Sequence, residues 1–335
     1  MIAMPAVYST ASRVGAAWFC VLVLTGCVSV SVEPGPSVTA PAQTTAAFVM
    51  ADGVRLPYRA WLPEQDPWAV VLALHGMNDS RDAWEIPAPA LNAAGIAVFA
   101  PDQRGFGDTA MRGFWPGGDA LAADAGQMAR LLRARFPQAR IILMGESMGA
   151  AVLLRMATQP QPPKVDGYVL IAPAVWGRSA MNPLMRGTLW LAGNLVPGME
   201  LTGSGLRITA SDNTPALIRL STDPLTLKAT RVDTLRGLVD LMDAAQAAAP
   251  LFNAPALVLY GGKDEVIPPR ATQQIWDRMP ERVRRAFYPD GYHLLLRDLG
   301  RSEPLSDVVS WIADPHSPLP SGAEARATAW LSEAR

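Results

Sequence analysis

The sequence has 335 residues, of which 50% are hydrophobic, enough to bury the core of one large domain. A formal net charge of −1 gives no basic excess, which argues against nucleic acid as a partner. The two cysteines, Cys20 and Cys27, both lie near the N-terminus. The rest of the chain therefore has no thiol for a disulfide, a metal site or a cysteine nucleophile.

The N-terminal segment contains an uncharged apolar run, Val14–Leu24. This run is shorter than the roughly 20 residues that cross a bilayer, and its length is typical of a secretory signal. It is followed by Thr25-Gly26-Cys27, which with Leu24 resembles the bacterial lipoprotein signal. We therefore predict a signal peptide over residues 1–26, lipidation of Cys27 and a flexible, Pro-rich tether over 27–43. A plain secretory signal or a short anchor helix is the alternative.

Two apolar segments separated by Asp52-Gly53 predict a hairpin over Thr44–Pro63. Beyond it, short apolar runs alternate with stretches of helical periodicity. The predicted strands are Trp68–Leu74, Ile96–Ala100, Ile141–Met144, Tyr168–Ala172, Ala256–Tyr260 and Arg285–Tyr288. The predicted helices are Ala83–Ala94, Asp119–Phe136, Met148–Ala157, Pro269–Met279 and Leu305–Ile312. This alternation predicts an α/β fold with a mostly parallel sheet and helices on both faces.

One segment, residues 176–248, interrupts the alternation and is helix-like and rich in leucine and methionine. We interpret it as a helical cap inserted after the sixth predicted strand, over the carboxyl edge of the sheet where α/β proteins bind ligands. Its apolar residues either form the core of the cap or line a site for an acyl chain. The α/β domain then spans residues 44–313, and residues 314–335 form a Pro- and Ala-rich tail.

The pattern Gly145-Glu146-Ser147-Met148-Gly149 follows a predicted strand and precedes a predicted helix. A nucleophilic serine in a strand-to-helix elbow requires this context, because small flanking residues let the chain turn sharply and expose the hydroxyl. The alternative is a glycine-rich turn with a solvated serine. We interpret Ser147 as a nucleophile.

A serine nucleophile needs a base and an acid that orients it. Of the three histidines, His293 alone follows both Ser147 and a predicted strand, whereas His316 lies in the tail. Asp264 follows the strand before it and is favoured as the acid over Glu265 and Asp290. The order serine, acid, histidine is the order found in α/β-hydrolases.

Acyl transfer also needs hydrogen-bond donors for the oxyanion. The backbone N–H of Met148, directly after the nucleophile, is one candidate. The loop after the strand ending at Leu74 should supply the other, and we predict the backbone N–H of Met77. His75 is then structural, as is the loop 102–107, in which Arg104 is expected to pair with Asp102.

Together these residues resemble the α/β-hydrolase superfamily over about Thr44 to Ala313. The motifs look like those of its monoglyceride lipase and lysophospholipase branch. They are His75-Gly76, the loop 102–107, the serine motif 145–149, Gly262-Lys263-Asp264 and Gly291-Tyr292-His293. The resemblance implies a Ser147–His293–Asp264 triad, a cap that admits one acyl chain, and no cofactor or metal.

Two positions depart from that branch, which often has histidine where Glu146 stands and a charged pair where this chain has Met77-Asn78-Asp79-Ser80. Other functions on the same fold stay open: a small-ester carboxylesterase, a peptidase, an acyltransferase or a non-catalytic envelope lipoprotein. The predicted partners are an ester substrate of the acyl-lipid type and a membrane reached through Cys27. The expected location is the bacterial cell envelope, facing the periplasm, and Val28 after the cysteine favours the outer membrane. Oligomeric state is open.

Overall fold

A computed structural model describes residues 29–30, 32–203, 205 and 207–333. The predicted signal peptide and Cys27 lie outside the described residues. Within the described part of the chain the strands are β1 (Ala42–Gln43), β2 (Ala47–Val49), β3 (Arg55–Trp61), β4 (Ala69–Leu74), β5 (Ile96–Pro101), β6 (Arg140–Glu146), β7 (Gly167–Ile171), β8 (Glu200–Thr202), β9 (Ala229–Arg231), β10 (Ala256–Gly261) and β11 (Val283–Tyr288). The helices are α1 (Ala88–Ala93), α2 (Gly118–Arg135), α3 (Met148–Ala157), α4 (Pro183–Leu195), α5 (Thr214–Thr222), α6 (Val232–Ala248), α7 (Pro269–Arg278), α8 (Ser302–Ala313) and α9 (Ala323–Glu333).

The continuous apolar runs of the sequence become the centre of a sheet. Among the described strands, the order is β1-β2-β3-β5-β4-β6-β7-β10-β11, and the six strands from β5 to β11 in this order are parallel. Every residue of β4, β5, β7 and β10 is buried, as expected for strands covered on both faces. The fold is that of an α/β-hydrolase, as the sequence predicts.

Helices cover the sheet on its two faces. Leu121 and Met128 of α2 and Val152 of α3 pack in one apolar cluster. Leu91 of α1 and Trp311 of α8 pack in a second cluster on the other face. Because β4, β6, β10 and β11 run parallel, the loops that follow them emerge at one edge of the sheet, and the predicted catalytic residues lie on these loops.

The predicted helix Ala83–Ala94 is wrong in its extent. The chain forms a short 3₁₀ turn at Arg81–Trp84 and a separate helix, α1, from Ala88. Pro87 and Pro89 explain the break, because neither can donate the backbone hydrogen bond that a helix interior requires. Proline is tolerated in the first turn, which is where α1 begins.

The cap lies between β7 and β10, after one more strand than predicted because the short β1 precedes the hairpin. It contains α4, α5 and α6, together with β8 and β9, which pair antiparallel. Backbone bonds attach it to the loops of the sheet edge: Leu227 N–H donates to Asn78 O and Leu294 N–H donates to Ala210 O. The cap therefore contacts both the loop after β4 and the loop after β11.

The described ends of the chain are packed against the domain. Val32 N–H donates to Trp115 O and Val38 N–H donates to Ala51 O, so this part of the predicted tether is hydrogen-bonded rather than free. The predicted tail contains α9, whose Trp330 stacks on Phe287 with ring centroids 4.7 Å apart. The proline-rich composition concealed this helix. No helix within the described ranges is long and apolar enough to cross a membrane.

Candidate active site

Ser147 occupies a strained turn between β6 and α3, with φ 53° and ψ −114°. A positive φ is unfavourable for any residue with a side chain, and surrounding packing must hold it. The flanking glycines allow that packing. A Cβ on Gly145 would lie 2.5 Å from the carbonyl carbon of Gly149, and a Cβ on Gly149 would overlap Leu74 O. The sequence GESMG thus forms the elbow expected from it, with Ser147 before the first residue of α3.

His293 and Asp264 come together at the same edge of the sheet. His293 Nδ1 lies 2.8 Å from Asp264 Oδ2, and both side chains are buried. The other oxygen, Asp264 Oδ1, accepts hydrogen bonds from Val266 N–H at 2.8 Å and Ile267 N–H at 2.9 Å. These bonds fix the carboxylate, which in turn fixes the imidazole with Nε2 left to exchange a proton.

The rival acids point elsewhere. Glu265 Oε2 accepts a hydrogen bond from Thr209 N–H of the cap at 2.6 Å. Asp290 is exposed and forms an ion pair with Lys263 at 2.7 Å. Neither carboxylate contacts an imidazole in the described part of the chain. Asp264 is the acid that the geometry pairs with His293.

The loop after β4 lies against the elbow. A Cβ on Gly76 would be 3.4 Å from Ser147 Cβ, so the backbone of this loop passes directly beside the serine. Met77 follows Gly76, and Asp79 N–H donates to Gly76 O at 3.3 Å, closing a turn around Met77. Met148 is the first residue of α3 and is fully buried. Both predicted oxyanion donors therefore belong to backbone segments adjacent to Ser147.

The other histidines have different settings. His75 is fully buried: its Nε2 accepts from Gln103 N–H at 3.0 Å, and its Nδ1 lies 2.7 Å from Gly76 O. Burial lowers the pKa of His75 below its ordinary value, which keeps the ring neutral with the proton on Nδ1. His316 is exposed in the C-terminal segment. His75 therefore shapes the loop that carries Met77.

The expected pairing of Arg104 with Asp102 is wrong. Arg104 donates to Asp124 at 2.8 Å and to Asp52 at 2.7 Å, while Asp102 accepts from Arg81 at 2.6 Å. These partners are far apart in the sequence, so local spacing gave no sign of them. Arg104 thus joins the hairpin turn to α2, a structural role as predicted but with different partners.

Two residues near His293 were missed by sequence analysis. Arg297 is buried and contacts Asp79 and Glu146. Asp298 Oδ2 accepts from Tyr292 N–H at 2.8 Å, and its Oδ1 accepts from Ser211 Oγ–H of the cap at 2.5 Å. Arg297 and Asp298 directly follow the apolar run 294–296. Two charged residues next to such a run were the one sign of their burial in the sequence.

Comparison with known proteins identifies the family of the chain. Residues 65–300 match the family described as serine aminopeptidase, S33, and the chain belongs to that family. It is 27% identical to the monoacylglycerol lipase of Mycolicibacterium smegmatis over 270 residues, which is 79% of this chain and 95% of that protein. It is 28% identical to the mouse (Mus musculus) monoglyceride lipase over 284 residues, covering 82% of this chain and 91% of that one.

Solved structures share the fold. The crystal structure of Paleococcus ferrophilus monoacylglycerol lipase superimposes with a TM-score of 0.62 at 23% identity, covering 78% of this chain and 99% of that one. A soluble variant of Saccharomyces cerevisiae monoglyceride lipase, in complex with a substrate analogue, gives a TM-score of 0.68 at 18% identity, covering 84% and 99%. The protein is an α/β-hydrolase of the monoglyceride lipase-like branch and a carboxylic ester hydrolase.

The buried Asp298 generates a prediction for stability. Burial raises the pKa of this carboxyl from 3.8 to about 6, so the folded state binds more protons than the unfolded state between these pH values. Its stabilising contribution is therefore complete below pH 3.8 and lost as pH rises through 6. An asparagine at this position would keep an acceptor oxygen without titrating. We therefore expect the free energy of unfolding of Asp298→Asn, relative to that of wild type, to increase by about 1–3 kcal/mol as pH rises from 4 to 8.

Urea unfolding of both proteins at pH 4, 6 and 8 measures this difference. The matched control is Asp290→Asn, because Lys263 holds the pKa of Asp290 below its ordinary value. Asp290→Asn should therefore be less stable than wild type, the opposite of Asp298→Asn, and by a smaller difference in the free energy of unfolding. A gap between Asp298→Asn and wild type that stays constant with pH would contradict the prediction.

Proposed function

We propose that this protein hydrolyses carboxylic esters of acyl lipids, such as monoacylglycerols or lysophospholipids, through an acyl-enzyme on Ser147. The observation that carries the proposal is the hydrogen-bonded His293–Asp264 pair, on the loops that follow β11 and β10 at the sheet edge where the strained Ser147 also lies. A serine in an elbow, a buried imidazole and a fixed carboxylate are the groups that acyl transfer needs.

In the proposed mechanism His293 Nε2 takes the proton of Ser147 as the serine oxygen attacks the ester carbonyl. The backbone N–H groups of Met77 and Met148 donate to the oxyanion of the tetrahedral intermediate. His293 then returns the proton to the leaving alcohol, giving the acyl-enzyme. Water, losing a proton to His293, attacks the acyl-enzyme carbonyl. His293 then returns this proton to the Ser147 oxygen as its bond to the acyl group breaks, which releases the acid and regenerates Ser147. Asp264 stays ionised and stabilises the imidazolium in both steps.

Replacement of Ser147 tests the chemistry. We expect wild type to react with a fluorophosphonate probe and Ser147→Ala to lose the label together with at least about 10⁴-fold of kcat on p-nitrophenyl esters. Ser221→Ala, on the exposed face of α5, should behave as wild type. A folded wild type that neither takes the label nor cleaves esters would overturn the proposal. Faster cleavage of an amide would favour a peptidase instead, and product analysis with an added alcohol would reveal acyl transfer.

The lipid nature of the substrate is supported by the outer face of α4. Leu184, Leu191 and Leu195 are 79%, 50% and 57% exposed, and their spacing places them on one side of the helix. The opposite side packs closely on α6, because a Cβ on Gly193 would lie 3.1 Å from Arg236 Cδ. A helix with an exposed leucine face has the character of an interfacial helix that enters a lipid surface.

The leucine face predicts a difference between soluble and aggregated substrates. Burial of each leucine contributes about 1.5–3 kcal/mol, so replacing all three by serine should lower the hydrolysis of vesicle-bound monoacylglycerol by at least about tenfold. Hydrolysis of soluble p-nitrophenyl acetate should not change. The matched control replaces Leu62 and Leu251, which are exposed outside the cap, by serine. Equal losses in the two variants, or none in the first, would speak against a lipid-facing cap.

We further propose that Cys27 is acylated and holds the enzyme at a membrane of the bacterial envelope, the outer membrane, facing the periplasm. The supporting observation is the sequence Leu24-Thr25-Gly26-Cys27 after an apolar core of signal length. Acyl chains on the cysteine would place the enzyme beside lipid esters.

Labelling with radioactive palmitate tests the anchor. The label should enter the wild-type protein and be absent from Cys27→Ser, which should also leave the membrane fraction. Cys20→Ser is the matched control and should keep both properties, because Cys20 lies within the predicted signal peptide. Label retained in Cys27→Ser would refute the assignment without affecting the hydrolase chemistry.

A further inference from the structure

Arg297 is a buried cation held between two carboxylates. Its side chain is 6% exposed, and its Nη2 lies 2.7 Å from Asp79 Oδ2 and 2.5 Å from Glu146 Oε1. Burial alone would lower the pKa of Arg297, but the two carboxylates raise it above its ordinary value, so the guanidinium stays charged. Neither acid has another cation within ion-pair distance among the described residues.

The three charged residues come from three different parts of the catalytic centre. Asp79 ends the turn that surrounds Met77, and Glu146 is the residue directly before Ser147. Arg297 lies on the turn that carries His293. One guanidinium therefore connects the segments that bear the oxyanion donor, the nucleophile and the base.

We propose that Arg297 is a positioning residue that sets the distance between the Met77 loop, the Ser147 elbow and the His293 turn. This inference rests on the proposed function. Arg297 touches no reacting atom and acts through Asp79 and Glu146.

Asp79 and the backbone of Arg297 are each held by further hydrogen bonds, so a shift of one loop would move the other. At one end Asp79 Oδ1 accepts a hydrogen bond from Ser80 N–H at 2.8 Å, so the carboxylate is tied to its own loop. At the other end Arg297 N–H donates to Leu294 O and Arg297 O accepts from Asn213 Nδ2–H of the cap, each at 2.7 Å. The arginine is thus held by its backbone while its side chain holds the two acids.

Stability alone does not account for this arrangement. Removing three charged groups from water opposes folding, and apolar residues of similar volume often serve a buried site as well or better. In addition, the buried Arg297 Nε–H has no hydrogen-bond partner among the described residues. What a buried charged donor provides, and an apolar cluster does not, is directional hydrogen bonds from Nη2 to the carboxylates of two separate chain segments.

The expected consequence is a loss of rate rather than of binding. An oxyanion donor stabilises the transition state only when its N–H is aimed at the developing charge, and a shift of about 1 Å costs up to 100-fold. Arg297→Met should therefore lower kcat by about 10–100-fold on p-nitrophenyl butyrate, with KM within about threefold of wild type. Arg297→Lys, which keeps the charge on a more compact head group, should give a kcat between those of Arg297→Met and wild type.

Active-site titration separates positioning from folding. A fluorophosphonate probe carried to completion counts competent serines, and kcat is then expressed per titrated site. A merely structural arginine would reduce the number of sites and leave the rate per site unchanged. The matched control is Arg284→Met, because Arg284 is also partly buried and paired with Glu324 but lies at the amino end of β11, away from the site. It should keep its rate per site within about twofold of wild type.

Three outcomes would overturn the positioning role of Arg297. A rate per site in Arg297→Met within twofold of wild type overturns the inference and leaves the proposed function standing. If Arg297→Met does not fold, Asp79→Asn and Glu146→Gln each release one link while keeping an acceptor oxygen, and unchanged rates in both overturn it. A folded wild type without label or esterase activity overturns the proposed function and this inference with it.

Discussion

The close approach of backbone at the nucleophile elbow is the constraint on which the rest of the site depends. Gly149 sits so near Leu74 O and His75 O that no Cβ fits there, so the start of α3 is locked against the end of β4. This contact supports the positive φ of Ser147. It also brings the loop that carries Met77 beside the serine. One backbone contact therefore positions both the strained Ser147 and its candidate oxyanion donors.

Much of this arrangement could be predicted because it depends on local pattern. Apolar runs indicated the parallel strands, and residues that follow such strands must meet at one edge of the sheet. Features that depend on distant partners could not be predicted. Arg104 pairs with Asp52 and Asp124, which are distant in the sequence. Helix α9, whose segment has the composition of a tail, packs on the domain through the stacking of Trp330 on Phe287.

The ion pairs around the site could not be predicted from the sequence either, for the same reason. Glu146 and the segment Met77-Asn78-Asp79-Ser80 are the places at which this sequence departs from the branch it resembles, and the two departures looked unrelated in the sequence. In the fold Glu146 and Asp79, one residue of that segment, both contact Arg297, so the two departures meet at a single cation. A sequence pattern can reveal that a position is unusual, but only tertiary structure shows which other unusual position balances it.

The N-terminal segment has a consequence for where the enzyme can act. Val30 N–H lies 3.3 Å from Asp233 Oδ2 at the start of α6, at the base of the cap. Two residues, Val28 and Ser29, separate Cys27 from Val30. The three chain steps between Cys27 and Val30 span at most about 11 Å. If Cys27 carries the lipid, the domain cannot range far from its own leaflet. Turnover would then follow the surface density of esters in that leaflet and their lateral diffusion, and would be insensitive to the volume of the surrounding compartment.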